Sequence, residues 1–278
     1  MQDAFAYCTD LVRAADRDRF IASLFAPTDR RTALHAVYAF AADLARVREV
    51  AHAALPGEIR LQWWTEVIDR ARDGEAHANP VAAALLATME RYPLRREALL
   101  DLVEARRFDL YEEPMRSLVD LEAYLQRTSS SLFSLAAVIL AGAEFEAAAV
   151  PAGIASGLAQ ILCAFPVHVA RRQLYLPTEI LERHQVRLHD VFVGRSSPGL
   201  VAAFLELRDI ARRHLTEVRQ RASALPQEAV PAFLPLAVVR PWLDRSERRD
   251  PFAQVELAPW RRQWLIWRAA RHPTRIAG

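Results

Sequence analysis

Apolar residues recur three and four positions apart through most of this chain, while the strict alternation of a half-buried strand is essentially absent. In RDRFIASLFAP, residues 17–27, Phe20, Ile21 and Leu24 share one helix face and Pro27 ends the run. Residues 29–53, DRRTALHAVYAFAADLARVREVAHA, place Leu34, Val37, Tyr38 and Ala41 on a stripe that stops before Pro56 and Gly57. A third helix is predicted over 57–74, where Leu61, Trp64, Val67 and Ile68 keep the spacing up to Gly74. Residues 79–92 open with Asn79 as a cap and Pro80 at the first helical position, where an N–H would have no partner anyway. The same rhythm predicts helices over 96–113, 120–144, 157–172, 198–223 and 259–272, with a Pro-bounded core helix over 231–243.

These helices follow one another without a shift in composition, a Gly/Ser linker or a repeat of fixed period. The predicted fold is therefore all-α, a single domain over residues 1–278 built of packed helices. An apolar content of 52% is ample for a buried core. The longest uncharged run, Ala147–Ala170, has the length of a membrane span but contains Pro151, Gly153, Gly157, Gln160, Pro166 and His168. It is expected to be a loop entering a buried helix.

Charge removes several functions. All 36 basic residues are Arg, and 34 acids leave a net charge of +2, too small an excess for a general nucleic-acid binder. Without Lys, Schiff-base and lysine-base chemistry has no candidate. Cys8 and Cys163 form no ligand-spaced cluster, consistent with two small buried thiols in a reducing compartment. The opening MQDAFAYCTD has acids where a signal peptide carries basic residues. The expected compartment is the cytoplasm, with peripheral contact at the inner face of the membrane left open.

Five segments, FIASLFAPTDRRTALHAVYAF, RLQWW, EARRFDL, LEAYLQRTSSS and ARRQLYLP, resemble in order and spacing the squalene/phytoene synthase family. The likeness runs from Phe20 to Arg268. It implies the isoprenoid-synthase fold, a helical bundle around a central apolar cavity. In active members it also implies head-to-head condensation of two prenyl diphosphates held by magnesium.

Magnesium takes near-octahedral oxygen donors, mostly carboxylates that bridge to substrate phosphates. Active members present them as DDxxD on one helix and DxxxD on another. Here Ala45, Arg46, Val47, Arg48 and Glu49 occupy the first pattern, which leaves Glu49 alone. Ala164 and His168 occupy the second, with Gln160 one turn earlier where active members tend to carry Asn. No Asp or Glu lies between Glu146 and Glu179, so a shift of register restores nothing, and imidazole suits zinc or copper better than magnesium. Asp43 stands ~240° around a helix from Glu49 and does not share an ion with it readily.

Together with GEIRLQWW and ARRFDLYEEPM, this pattern is similar to one branch of the family, that of the mitochondrial complex I assembly factor and its bacterial relatives. The resemblance implies a catalytically degenerate homologue with no catalytic group at Ala45, Glu49, Ala164 or His168 and no metal or other cofactor. It also implies a protein partner, a subunit or assembly intermediate of respiratory complex I. Two alternatives stay open. One is an active prenyltransferase of the squalene/phytoene synthase type that uses magnesium through atypical ligands. The other is a metal-free binder of an isoprenoid or anionic lipid. For that ligand the candidates are Arg30, Arg31, Arg46, Arg48, Gln160, His168, Arg171, Arg172, Tyr38 and Tyr124, since guanidinium grips phosphate in a bidentate way.

Each candidate also has a structural reading. Arg30 and Arg31 suit a solvated helix start, and Arg171 and Arg172 a helix end where cations complement the dipole. Arg106, Arg107 and Asp109 suit an exposed ion-pair network, His168 a hydrogen-bonded core position, and Tyr38, Phe40 and Tyr124 the apolar core. One of Trp63 and Trp64 packs inward while the other lies at a rim. Ser129, Ser130 and Ser131 have no His–acid pair to make one of them a nucleophile. In PWRRQWLIWRAARH, Trp260, Trp264 and Trp267 share a face amid Arg261, Arg262, Arg268 and Arg271, as a helix lying on an anionic membrane would. Leu265 and Ile266 point away from that stripe, which favours a final helix docked on the bundle.

Overall fold

Side-chain caps set four of the helix starts among the described residues. The computed structural model describes residues 1–51 and 53–278, and among them every regular element is helical. The first helix, α1 (Gln2–Ala15), runs to Asp16, whose carboxylate accepts the Arg19 backbone N–H and so starts α2 (Arg17–Ser23). Next, α3 (Thr28–Ala45) breaks at Arg46, and the short α4 (Val47–Ala51) and then α5 (Ala54–Ile68) follow. After α6 (Asp73–Ala78), Asn79 Oδ1 accepts the Val81 and Ala82 N–H groups and Pro80 opens α7 (Pro80–Arg91), as the cap residues predict. The fifth predicted segment forms α8 (Arg96–Ala105) and a 3-10 turn over Arg106–Leu110.

Ser117 and Asp120 form a reciprocal capping box on α9 (Leu118–Leu125). A π-helical turn, Gln126–Ser130, joins it to α10 (Ser131–Ala141), which Gly142 closes at φ 71. The predicted helix over 120–144 is therefore two helices with a wider turn between them. The 25-residue α11 (Glu146–Ala170) leads to the short α12 (Thr178–Arg183) and α13 (Leu188–Phe192). Ser197 caps α14 (Pro198–Arg221). The predicted helix over 231–243 is broken into α15 (Val230–Phe233), a 3-10 segment and α16 (Val239–Ser246), because Pro231, Pro235 and Pro241 each lack a donor for the ladder. The chain ends on α17 (Pro259–Arg271) and a 3-10 turn. The helix predicted to reach Gly74 stops at Ile68, and Arg70 takes the left-handed conformation at φ 61.

The largest departure from expectation is α11. No loop precedes the buried helix; the whole uncharged run is helical despite Pro151 and Pro166. Two glycines explain how it packs. A Cβ on Gly153 would stand 2.2 Å from the Ser130 Cα and N, and one on Gly157 would meet Leu125 at 2.4 Å, so the π turn lies directly on α11. Ser130 Oγ donates to the Val150 carbonyl at 2.9 Å across the same contact. By length and composition α11 is long and apolar enough to cross a bilayer, but 78% of its apolar window is buried inside the protein, chiefly along α14 and the π turn.

One continuous apolar cluster runs from Ala4 to Ala277. Trp64 is fully buried edge-on to Phe40, with ring centroids 4.8 Å apart. Trp63 stays half-buried beside it and donates to Glu75, so the pair divides as its helical spacing predicts.

Candidate functional site

The end of α3, the start of α2, the π turn and Gln160 of α11 face one another. Between them lies a cavity of about 200 Å³ whose wall includes Arg19, Tyr38, Ala45, Arg46, Arg106 and Gln160. A second cavity, of about 110 Å³, shares Asp16, Arg19 and Gln160 with the first and continues among Cys163, Val238, Trp242 and Leu257. The single apolar cavity implied by the resemblance is thus two smaller ones with a charged group between them. Cys163 is exposed at the second, which corrects the expectation of two buried thiols, whereas burial pushes the Cys8 thiol up to about 12.

Arg19 is buried with its Nη1 2.6 Å from Asp16 Oδ2, and its guanidinium lies 5.6 Å from the Tyr38 ring centre and 5.7 Å from that of Phe133. Burial works against this cation, but Asp16, with Tyr38 and Asp18 adding, outweighs it and holds the pKa above the ordinary guanidinium value. Burial raises the Tyr38 phenol to about 12, so it stays neutral at physiological pH.

A buried cluster stands on the other side of Arg106. Asp109 Oδ1 accepts the hydroxyls of Tyr124 and Tyr175, each at 2.8 Å, and Oδ2 accepts Arg106 Nη1 at 3.0 Å. Gln173 Nε2 donates to the Asp109 carbonyl at 2.9 Å. The exposed network expected for Arg106 and Asp109 is therefore a buried one, and Tyr124 belongs to it rather than to the cavity wall. Only Arg107 behaves as expected, pairing at the surface with Glu104 at 2.6 Å and with Glu58. The His168 ring packs tilted against Tyr175, with centroids 4.7 Å apart and planes 58° from parallel, and its buried Nδ1 has no partner among the described residues. Burial lowers its pKa to about 4, with Arg171 adding to the effect and Asp109 opposing it. The expected hydrogen-bonded histidine is thus held by a tilted ring contact, with that nitrogen unpaired among the described residues.

The first acidic-motif positions, Ala45–Glu49, straddle the break between α3 and α4. Glu49 Oε1 accepts Arg171 Nη1 at 2.7 Å, and Arg48 approaches Glu112 at 3.8 Å. Asp43 accepts Arg60 and the Trp64 indole N–H, each at 2.9 Å. Ala164 offers no ligand. Asp16 and Asp18 lie by the cavities but are held by Arg19 and Arg262. Among the described residues no three of His, Cys, Asp and Glu are grouped to hold a metal ion, and the donors at the two motif positions do not fit magnesium.

Arg30 and Arg31 are not at the cavity. Arg30 donates to the Ile139 and Leu140 carbonyls at the end of α10, and Arg31 to the Leu24 and Ala26 carbonyls, so both satisfy helix ends rather than standing solvated. Arg172 is exposed at φ 56 and makes no ion pair among the described residues. The structure thus gathers Tyr38, Arg46 and Gln160 at one cavity and joins Arg171 to Glu49. Sequence reasoning missed Asp16 and Arg19, for which the three-residue spacing of opposite charges was the available signal. It also missed buried His35, whose ring nitrogens meet Thr9 Oγ1 at 2.9 Å and Ser23 Oγ at 2.8 Å.

Residues 12–268 match the family model of squalene/phytoene synthase. The chain belongs to the squalene/phytoene synthase family. NADH dehydrogenase (ubiquinone) complex I, assembly factor 6, from Rattus norvegicus, is 30% identical to this family member over 251 residues, covering 89% of this chain and 75% of the relative. The 15-cis-phytoene synthase of Synechococcus elongatus is 24% identical over 282 residues, covering 94% and 91%. A crystal structure of a dehydrosqualene synthase in complex with ligand shares the fold with a TM-score of 0.85, over 98% of this chain and 97% of that one, at 17% identity.

Proposed function

We propose that this family member performs no prenyltransfer and acts as a binding or assembly factor for the respiratory NADH dehydrogenase, working in the cytoplasm. The observation that carries the reading is the Glu49–Arg171 ion pair. It places an arginine on the one carboxylate left in the two motif positions, where a diphosphate leaving group would need metal-held charge stabilisation. The likeness to assembly factor 6 supplies the process, and the partner is then a subunit or intermediate of that complex. Deleting the gene in its own cell should lower the amount of assembled NADH dehydrogenase in the membrane, and the Glu49→Gln protein should restore it as well as the wild type does. Failure of Glu49→Gln to restore assembly, or normal assembly without the gene, overturns the reading.

A second reading rests on Arg19, Arg46 and Arg106 lining one cavity beside Tyr38. Arg19 and Arg106 are held by Asp16 and Asp109, which leaves the Arg46 guanidinium to grip the phosphate of an isoprenoid or anionic lipid without a metal. Calorimetry with inorganic pyrophosphate should then give magnesium-independent, salt-sensitive heat that Arg46→Ala weakens.

A further inference from the structure

We infer that the outward face of α17 docks this protein on an anionic lipid surface. The helix is already held to the bundle by its other face: Leu265, Ile266 and Ala269 are buried, and Arg262 Nε donates to Asp18 at 2.9 Å. The three tryptophans are left outside, with Trp260 69% exposed and Trp264 and Trp267 each 48% exposed. An exposed row of three indoles costs solubility unless something covers it.

Charge identifies the cover. Besides the Arg262 that pairs with Asp18, the chain from Leu257 to Gly278 carries Arg261, Arg268, Arg271 and Arg275 and no Asp or Glu. Arg268 lies over the Trp264 ring at 4.5 Å and Arg271 over Trp267 at 5.3 Å, so cations and indoles occupy the same outward surface. Lipid headgroups meet both at once: phosphate oxygens take the guanidinium groups while the indoles settle at the level where the chains begin. This inference stands independently of the assembly role.

The test mixes the full chain with vesicles of phosphatidylcholine alone and of phosphatidylcholine with phosphatidylglycerol, and reads the bound fraction by sedimentation. Binding should appear with the anionic vesicles and fall with salt. It should weaken at least ~tenfold in Trp260→Ser/Trp264→Ser/Trp267→Ser and in Arg261→Glu/Arg268→Glu/Arg271→Glu. Brominated acyl chains should quench the wild-type tryptophan fluorescence, a measurement that needs no variant to fold. Absent binding, binding without quenching, or equal binding to neutral vesicles overturns the inference. So does a concentration-dependent dimer that the Trp variant abolishes while vesicles stay unbound, since the face then belongs to a second copy.

Discussion

Arg171, at the end of α11, holds Glu49 of α4 at 2.7 Å, so the two helices that carry the acidic-motif positions are joined by a direct ion pair. Both side chains are about two-fifths exposed, at 43% and 41%, and water screens the attraction. Glu49→Ala should therefore cost ~1 kcal/mol or less. Magnesium should leave the melting temperature of the wild type unchanged, as read by calorimetric scans with and without the ion. A magnesium-dependent rise that Glu49→Ala removes would place a metal at this carboxylate.

Asp109 is a different case, because its carboxylate is buried and satisfies three donors at once. Asp109→Ala leaves the Arg106 cation without its counter-ion and should cost about 3–5 kcal/mol in urea unfolding. Tyr175→Phe removes one neutral donor and should cost about 1 kcal/mol. If the two variants were equally stable, the cluster would not be held by its charge.

His35 makes stability depend on pH. Burial chiefly, with Arg31 and Arg13 adding, lowers its folded pKa to about 4 from 6.5. The unfolded chain binds the proton more readily, so folding stability is full above the unfolded pKa and is lost as pH falls from 6.5 towards 4. The contribution is about 3 kcal/mol by linkage. Urea midpoints should drop across this window, and His35→Gln should flatten that part of the profile. An unchanged slope in the variant would assign the loss to other groups.

Gly153 and Gly74 should respond to alanine in opposite directions. At Gly153 the new methyl meets the Ser130 backbone at 2.2 Å, so α11 and the π turn must separate, and about 3 kcal/mol should be lost. At Gly74, inside α6, nothing lies within 4 Å, and the better helix former should add about 0.5–1 kcal/mol. Thermal unfolding of the two variants gives both signs directly.

The helical periodicity of Leu61, Trp64, Val67 and Ile68 and the Asn79–Pro80 start were legible because one stripe and one cap suffice to fix them. The helicity of Pro151 to Pro166 was not, since each proline is locally a stop signal and only packing on α14, the π turn and α10 overrides it. The burial of Arg19, Arg106 and Asp109 was hidden for a related reason: charge marks a surface residue until its partner, brought from elsewhere in the fold, is known. Arg19 had its partner three residues away and was the readable one. Asp109 needed Tyr175 from 66 positions on, which no local pattern reveals. The metal-motif positions were readable from the family pattern, but the pairing of Glu49 with Arg171, 122 residues apart, required the fold.

Diphosphate release is the most direct measurement of the central claim. The purified protein, incubated with farnesyl or geranylgeranyl diphosphate and magnesium, should yield no diphosphate above the protein-free background. Steady, magnesium-dependent release accompanied by a joined hydrocarbon product would contradict the account.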